Sequence, residues 1–420
     1  MATSIVQSGD YLLELDTGFD VNSFRLDDSV KGVLDNTEYT LGPNTNFADI
    51  TEFVYDVSYK RGRQKVDDQF GAGTMQFTMR DETGILGPYD TSSPYYDPAN
   101  SEPGLAPLRQ VRLKRDSTEL FTGVVTGYDY KFEMAGPNIV SVHCADDFYL
   151  LAQTQLDAFN PTAETSGERI ETVLDLPEVG FSATTRDIDL GTVNLGHDAA
   201  YNVNAGTNTL GYLQQINQAE QGRLFMAANG DLTFQPRIGT TLSAPVITFK
   251  DDGTGAEYDD LTIAFDADEV VNRAYVEALD GKTATDTDAA SIAKYFVQSQ
   301  SITNSLLHEQ GEVDDLADYL LKPEPSPRFT SLQTRFALLT STQRDDAASI
   351  DVGDTISIEK VIPGLNTQLG EELAIEGIEG QISVASGHTI RFYTSSTTIV
   401  FQLILDDPVF GVMDSTNVLG

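Results

Sequence analysis

Residues able to do chemistry are few in this sequence and poorly gathered. The four histidines, His143, His197, His308 and His388, stand without metal-ligand spacing. The single cysteine, Cys144, excludes an internal disulfide and any cysteine-clustered zinc site, and it reads as a small core residue of the strand IVSVHC. HExxH and Gly-x-Ser-x-Gly are both absent, and Gly281-Lys282-Thr283 has Val276 where a phosphate loop needs its first glycine. Two carboxylate pairs, Asp27/Asp28 and Asp406/Asp407, invite calcium or acid–base chemistry. Neither has third and fourth oxygen ligands at loop spacing, so both read as solvated turn residues. A Ser-His-Asp group assembled by the fold stays open in principle, although the elements below absorb almost every residue. The expectation is a chain with no catalytic residue, no cofactor and no metal ligand set.

The unusual chemistry lies in Tyr59 to Asp81, YKRGRQKVDDQFGAGTMQFTMRD. Lys60, Arg61, Arg63 and Lys65 are four of only 26 basic residues, gathered around Gly62 after an alternating run, Ile50 to Tyr59, that reads as a half-buried strand. Phe70-Gly71-Ala72-Gly73-Thr74 then puts small side chains where a strand re-enters a sheet. Met75, Phe77 and Met79 alternate with Gln76, Thr78 and Arg80, one face apolar and one polar.

The elements that must position these residues are mostly strands. Residues 1–45 read as an arm carrying one strand, Asp10 to Leu15, and 46–153 as a first β domain with strands near 50–59, 74–81, 108–115, 119–134 and 139–145. Its long connection, Glu82 to Pro107, is rich in Gly and Pro and holds Tyr89, Tyr95 and Tyr96; it is either a mobile surface loop or a tyrosine-anchored segment lying on a neighbouring subunit. Residues 154–245 form a mixed module: a helix capped at Thr165 or Ser166 and ended by Pro177, a second from Asn208 to Gln221, and an Asn229-Gly230 hairpin. Residues 246–345 add strands at Leu261–Phe265 and Val276–Leu279, a helix capped by Asp286 or Thr287 running to Tyr295, a helix at Glu312–Leu321, and an alternating strand from Phe329 to Leu339. Residues 346–395 read as a small β-barrel, with 396–420 as a C-terminal segment. The fold class expected is strand-dominated α+β, built of several small β-barrel or β-sandwich and mixed modules.

The two ends repeat each other. Leu26–Thr37 (LDDSVKGVLDNT) and Leu405–Thr416 (LDDPVFGVMDST) agree at eight of twelve positions. Each carries a Leu-Asp-Asp, a Val-x-Gly-Val and an Asp before a polar turn: Leu26, Asp27, Asp28, Val30, Gly32, Val33 and Asp35 in one, Leu405, Asp406, Asp407, Val409, Gly411, Val412 and Asp414 in the other. Such a pair reads as two copies of one docking peptide, offering equivalent contacts to two neighbours around a ring.

Composition sets the outer bounds. At 420 residues and 40% hydrophobic the chain can build two to four cores. No stretch approaches the roughly 20 apolar residues that span a bilayer, so stable membrane insertion is not expected. With 65 acidic against 26 basic residues the net charge is −39, which repels phosphates and disfavours nucleic-acid binding. The same charge suits an acidic conduit wall past which DNA slides, a soluble large assembly, or a salt-rich host.

The Tyr59–Asp81 block resembles the minor tail proteins of long-tailed bacterial and archaeal viruses, in which an RGR turn, an acidic residue, a Phe and an AGT step precede a strand ending in an acidic turn. The resemblance continues through Leu120–Tyr130, Cys144–Leu151, Ser166–Asp175, Arg186–Gly191, Gly206–Phe234, Ala289–Tyr295, Leu316–Arg328 and Ser331–Leu338, and so covers most of the chain. It implies a non-enzymatic virion protein, a baseplate or tail-tip hub, homotrimeric and assembled in the host cytoplasm. Its partners would be the distal tail ring, the tail tube or tape-measure protein and the fibre or receptor-binding proteins, with viral DNA only in passage. A hexameric distal-tail ring protein and a glycan-reading receptor module are the alternatives. On this reading Arg61 and Arg63 stand at a ring interface against acidic partners, since arginine makes planar bidentate contacts with carboxylates; the plain alternative is exposed cations at a strand end.

Overall fold

The computed structural model describes residues 4–5, 11–21, 46–66, 68–97, 99–132, 134, 136–237, 244–361 and 368–396. Both terminal repeats, with Leu26 to Asp35 and Leu405 to Asp414, lie outside the described residues. The chain is strand-dominated α+β, as the sequence implies.

A 13-stranded sheet organises the molecule. The strand Thr74–Asp81 turns Met75, Phe77 and Met79 inward, and its alternation fixes the register because a one-residue slip would expose all three. It lies between Val54–Gly62 on one side and Asn138–Ala145 on the other. Beyond the latter come Thr118–Lys131, Gln110–Arg115 and the N-terminal strand Tyr11–Asp16. On the opposite side Val54–Gly62 pairs antiparallel with the far end of the long strand Gln368–Ser383, from Gly377 to Ser383. The first half of that long strand pairs instead with Thr355–Val361. Its other edge carries Gly387–Ser396 along its length, with a register slip between Ile375 and Gly377. A bulge there puts Glu376 into the protein at a point where the strand changes partners.

A second core is built from residues 148–234 and 274–320 together with Phe70 and Val352. Ser166–Leu174 forms as its sequence dictates. Thr165 accepts from the Glu168 amide while the Glu168 side chain returns to the Thr165 amide, a full capping box, and Ile170, Val173 and Leu174 are buried. Thr209–Glu220 begins with Asn208 accepting from the Gly211 amide at 2.8 Å and ends at Gln221, which takes the left-handed conformation that helix ends usually give to glycine. The hairpin Arg223–Met226/Leu232–Gln235 turns at Gly230, φ +90°. Arg273–Ala278 lies between Thr283–Thr287, antiparallel, and Ser299–Ser305, parallel. Strands of the segment 246–345 thus divide: Thr248–Lys250, Asp260–Ala264 and Arg328–Arg335 join the large sheet, while Arg273–Ala278 and Ser299–Ser305 pack into the second core.

Candidate functional site

The Tyr59–Asp81 block occupies the junction of the two cores. Gly62 has φ +76°, and a Cβ there would stand 2.4 Å from the Glu376 carbonyl oxygen, so only glycine lets the two strands cross this closely. The crossing turns Arg61 and Arg63 inward, leaving their side chains 3% and 12% exposed. Arg61 pairs with Asp351, whose other oxygen accepts the Ala228 amide at 2.7 Å, tying the large sheet to the hairpin of the second core. Arg63 stacks over the Phe70 ring at 4.4 Å and donates from Nε to Glu376 at 2.8 Å. Arg223 donates to the other Glu376 oxygen at 2.8 Å, and Ser395 adds a hydroxyl donor at 2.7 Å. Burial pushes the Glu376 carboxyl up, but Arg223 and Arg63 outweigh it and hold it at about 2.

The glycines of the block have their own partner. The Gly73 amide donates to Asp146 at 2.6 Å, and a Cβ on Gly73 would fall 2.6 Å from the same oxygen. Asp146 also accepts the Phe148 amide at 3.1 Å, so the buried carboxylate starts the short helix Phe148–Gln153. Burial pushes its pKa up to about 7, the two amides and Arg61 pulling the other way and Asp147 adding to the rise. A third buried contact joins the chain's early and late strands. His388 is enclosed between the Tyr11 hydroxyl, 2.9 Å from Nδ1, and the Tyr59 hydroxyl, 3.2 Å from Nε2; burial and the Arg115 charge push its pKa down to about 3, keeping it neutral.

The tyrosine-rich connection folds back on its own domain. Asp81 accepts the amides of Thr83, Gly84 and Leu86, Leu86 and Leu105 are buried, and Tyr95 packs edge-on against Phe53 at 6.4 Å. Tyr96 is half-buried in a two-residue pairing with Pro103, whereas Tyr89 is 90% exposed at the loop surface. Elsewhere Tyr128, Tyr130 and Phe132 stack in a ladder with centroids 6.1 and 6.3 Å apart that climbs to the exposed end of a hairpin.

The expected residues are therefore brought together only in part. Arg61 and Arg63 meet carboxylates, but within their own chain, and Tyr89, Tyr95 and Tyr96 share a loop that does not reach the arginines. Sequence reasoning missed Glu376 and Arg223 and gave Asp351 no role in the site. The available signal for Glu376 was a break in alternation around it, Leu373 and Ile375 on one phase and Ile378 and Ile382 on the other, as a bulge leaves behind. Among the described residues no helix is long and apolar enough to cross a membrane.

No protein-family model matches the sequence, and no curated protein aligns with it. Solved structures do match. The 43 kDa tail protein of prophage MuSo2 from Shewanella oneidensis superposes with a TM-score of 0.55 at 13% identity, over 84% of this chain and 96% of that one. A tail protein from Neisseria meningitidis MC58 gives 0.54 at 11% identity, over 84% and 95%. At such identities the likeness is one of architecture, and the chain shares its fold with these two tail proteins.

Proposed function

We propose that this chain is a structural protein of a virus tail tip: a homotrimeric hub that closes the tail tube, carries the host-facing fibres and lines part of the path taken by DNA. The observation that carries this reading is the extent of the shared fold, which takes in 84% of this chain and nearly the whole of two tail proteins, so the likeness is not that of one borrowed module. Charge supports the conduit. A net −39 per chain, tripled in a trimer, repels a polyanion wherever salt leaves it unscreened. The buried ion pairs support a scaffold role, because they are used up in holding the two cores together. On this reading Tyr89, the exposed member of the tyrosine set, meets a neighbouring subunit, and the two terminal repeats dock equivalently on two neighbours or on two copies of one partner. Native mass spectrometry of the purified chain tests the reading: a trimer is expected, a hexamer would reassign the protein to the distal ring that precedes the hub, and a monomer at all concentrations would overturn the ring.

A further inference from the structure

Away from the junction, the fold assembles a group that no sequence spacing announces. Asp198 follows Gly196-His197 on the loop into a short 3₁₀ turn, Asp280 stands in the turn between the strands Arg273–Ala278 and Thr283–Thr287, and His308 follows the strand Ser299–Ser305. One carboxylate oxygen of each aspartate and one ring nitrogen of His308 all lie within 4.8 Å of one another. The three segments are stitched by backbone and tyrosine contacts: the Gly196 amide donates to Leu306 O at 2.8 Å, the Leu279 amide to Ser305 O at 3.0 Å, and the Tyr201 hydroxyl to Leu307 O at 2.6 Å. The His308 ring is held 4.8 Å from the His197 ring and edge-on to Tyr201 at 6.1 Å, and its Nδ1 is shielded from water with no hydrogen-bond partner. An imidazole with a shielded, unpartnered nitrogen on a ring beside two carboxylates offers the donor types a metal ion needs, although Asp198 already accepts the Ala200 amide at 2.8 Å.

We propose that Asp198, Asp280 and His308 bind a divalent transition-metal ion. An imidazole with two carboxylates suits zinc-like ions, whereas calcium takes six to eight oxygens. Ligand atoms about 2.1 Å from a tetrahedral ion stand about 3.4 Å apart, so closing the group takes a shift of about 1 Å, within reach of the exposed Asp198 side chain. Two carboxylates match the charge of the ion. Lys282 is its rival: the ammonium contacts Asp280, and its amide donates to the same side chain at 3.1 Å. That side chain is 35% exposed on a flexible stem and is free to swing into water when an ion arrives.

The test uses the full chain, stripped with a chelator and held in high salt to suppress loose binding to its acidic surface. Zn²⁺ is then titrated against a chromophoric chelator, and thermal midpoints are recorded. A single Zn²⁺ per chain and a raised midpoint are expected. Asp198→Asn, an exposed change that leaves folding intact, and His308→Gln should each weaken binding at least about tenfold, and Lys282→Met should tighten it. Failure of the unaltered chain to hold Zn²⁺, or equal binding by Asp198→Asn and His308→Gln, overturns the site. Neither result bears on trimer formation.

Discussion

Two buried carboxylates at the junction of the cores are pushed in opposite directions, and that difference is measurable. Glu376 has lost its water but faces Arg63 and Arg223, so its pKa falls from an ordinary 4.5 to about 2. Its contribution to stability is complete above the ordinary value and disappears as pH drops through about 2. Glu376→Gln leaves two guanidinium groups without a counter-charge in a closed space, a loss of about 3 to 5 kcal/mol read as a lowered midpoint in urea at neutral pH. An unchanged midpoint would mean that water reaches both arginines. Asp146 is held mainly by neutral amides, so burial wins and raises its pKa to about 7. Its contribution is complete below the ordinary carboxylate value and is lost as pH rises through about 7. Asp146→Asn, which keeps an acceptor for the Gly73 amide, is therefore expected to gain on the unaltered chain as pH is raised from about 5 to about 8. Parallel melting curves for the two chains across that range would remove the titration from Asp146.

At the scale of elements the junction depends on one glycine. Gly62→Ala places a methyl group 2.4 Å from a backbone oxygen, at φ +76°, where neither strand can retreat without breaking its ladder. The expected outcome is loss of more than about 3 kcal/mol, seen as a collapse of soluble yield or of the melting temperature, while Gly71→Ala, with nothing within 4 Å of its Cβ, is tolerated. The elements themselves were largely legible. Thr74–Asp81 and Ser166–Leu174 match their alternation and capping signals, because each is decided by neighbours a few residues away. The expected strand Phe329–Leu339 instead stops at Arg335 and tightens into a 3₁₀ turn, and the helix expected from a cap at Asp286 or Thr287 is capped by Asp288 and starts at Ala289 because Thr283–Thr287 is claimed as a strand. Ser341–Ser349 was invisible as a helix: its apolar residues are only alanines, and the Thr340–Gln343 capping box was its sole signal. The site was half legible for the same reason. Arg61 and Arg63 stood out as cations in an acidic chain, but Asp351 and Glu376 are 290 and 313 residues further on, and only the closed sheet brings them near.

For the whole molecule the dominant long-range term is its own charge. Copies of a −39 chain repel one another, and raising NaCl from about 0.15 M to 1 M shortens the screening length from about 8 Å to about 3 Å. Any self-association is therefore expected to strengthen with salt, as followed by sedimentation velocity; weakening would show that ion pairs between copies hold them together. The sheet that spans the molecule also carries a consequence for how it is made. One edge of Val54–Gly62 pairs with the nearby Thr74–Asp81, but the other finds its partner only in Gly377–Ser383, so during synthesis that edge stays unpaired while more than 300 residues emerge. At roughly 5 to 20 residues per second this lasts on the order of tens of seconds, long enough for nascent chains on one message to pair edge to edge. Lys60 and Arg61 stand on that waiting strand and Arg63 just beyond it, the kind of charge that blunts edge-to-edge pairing, so Arg61 and Arg63 would serve the chain before they lock the junction as well as after.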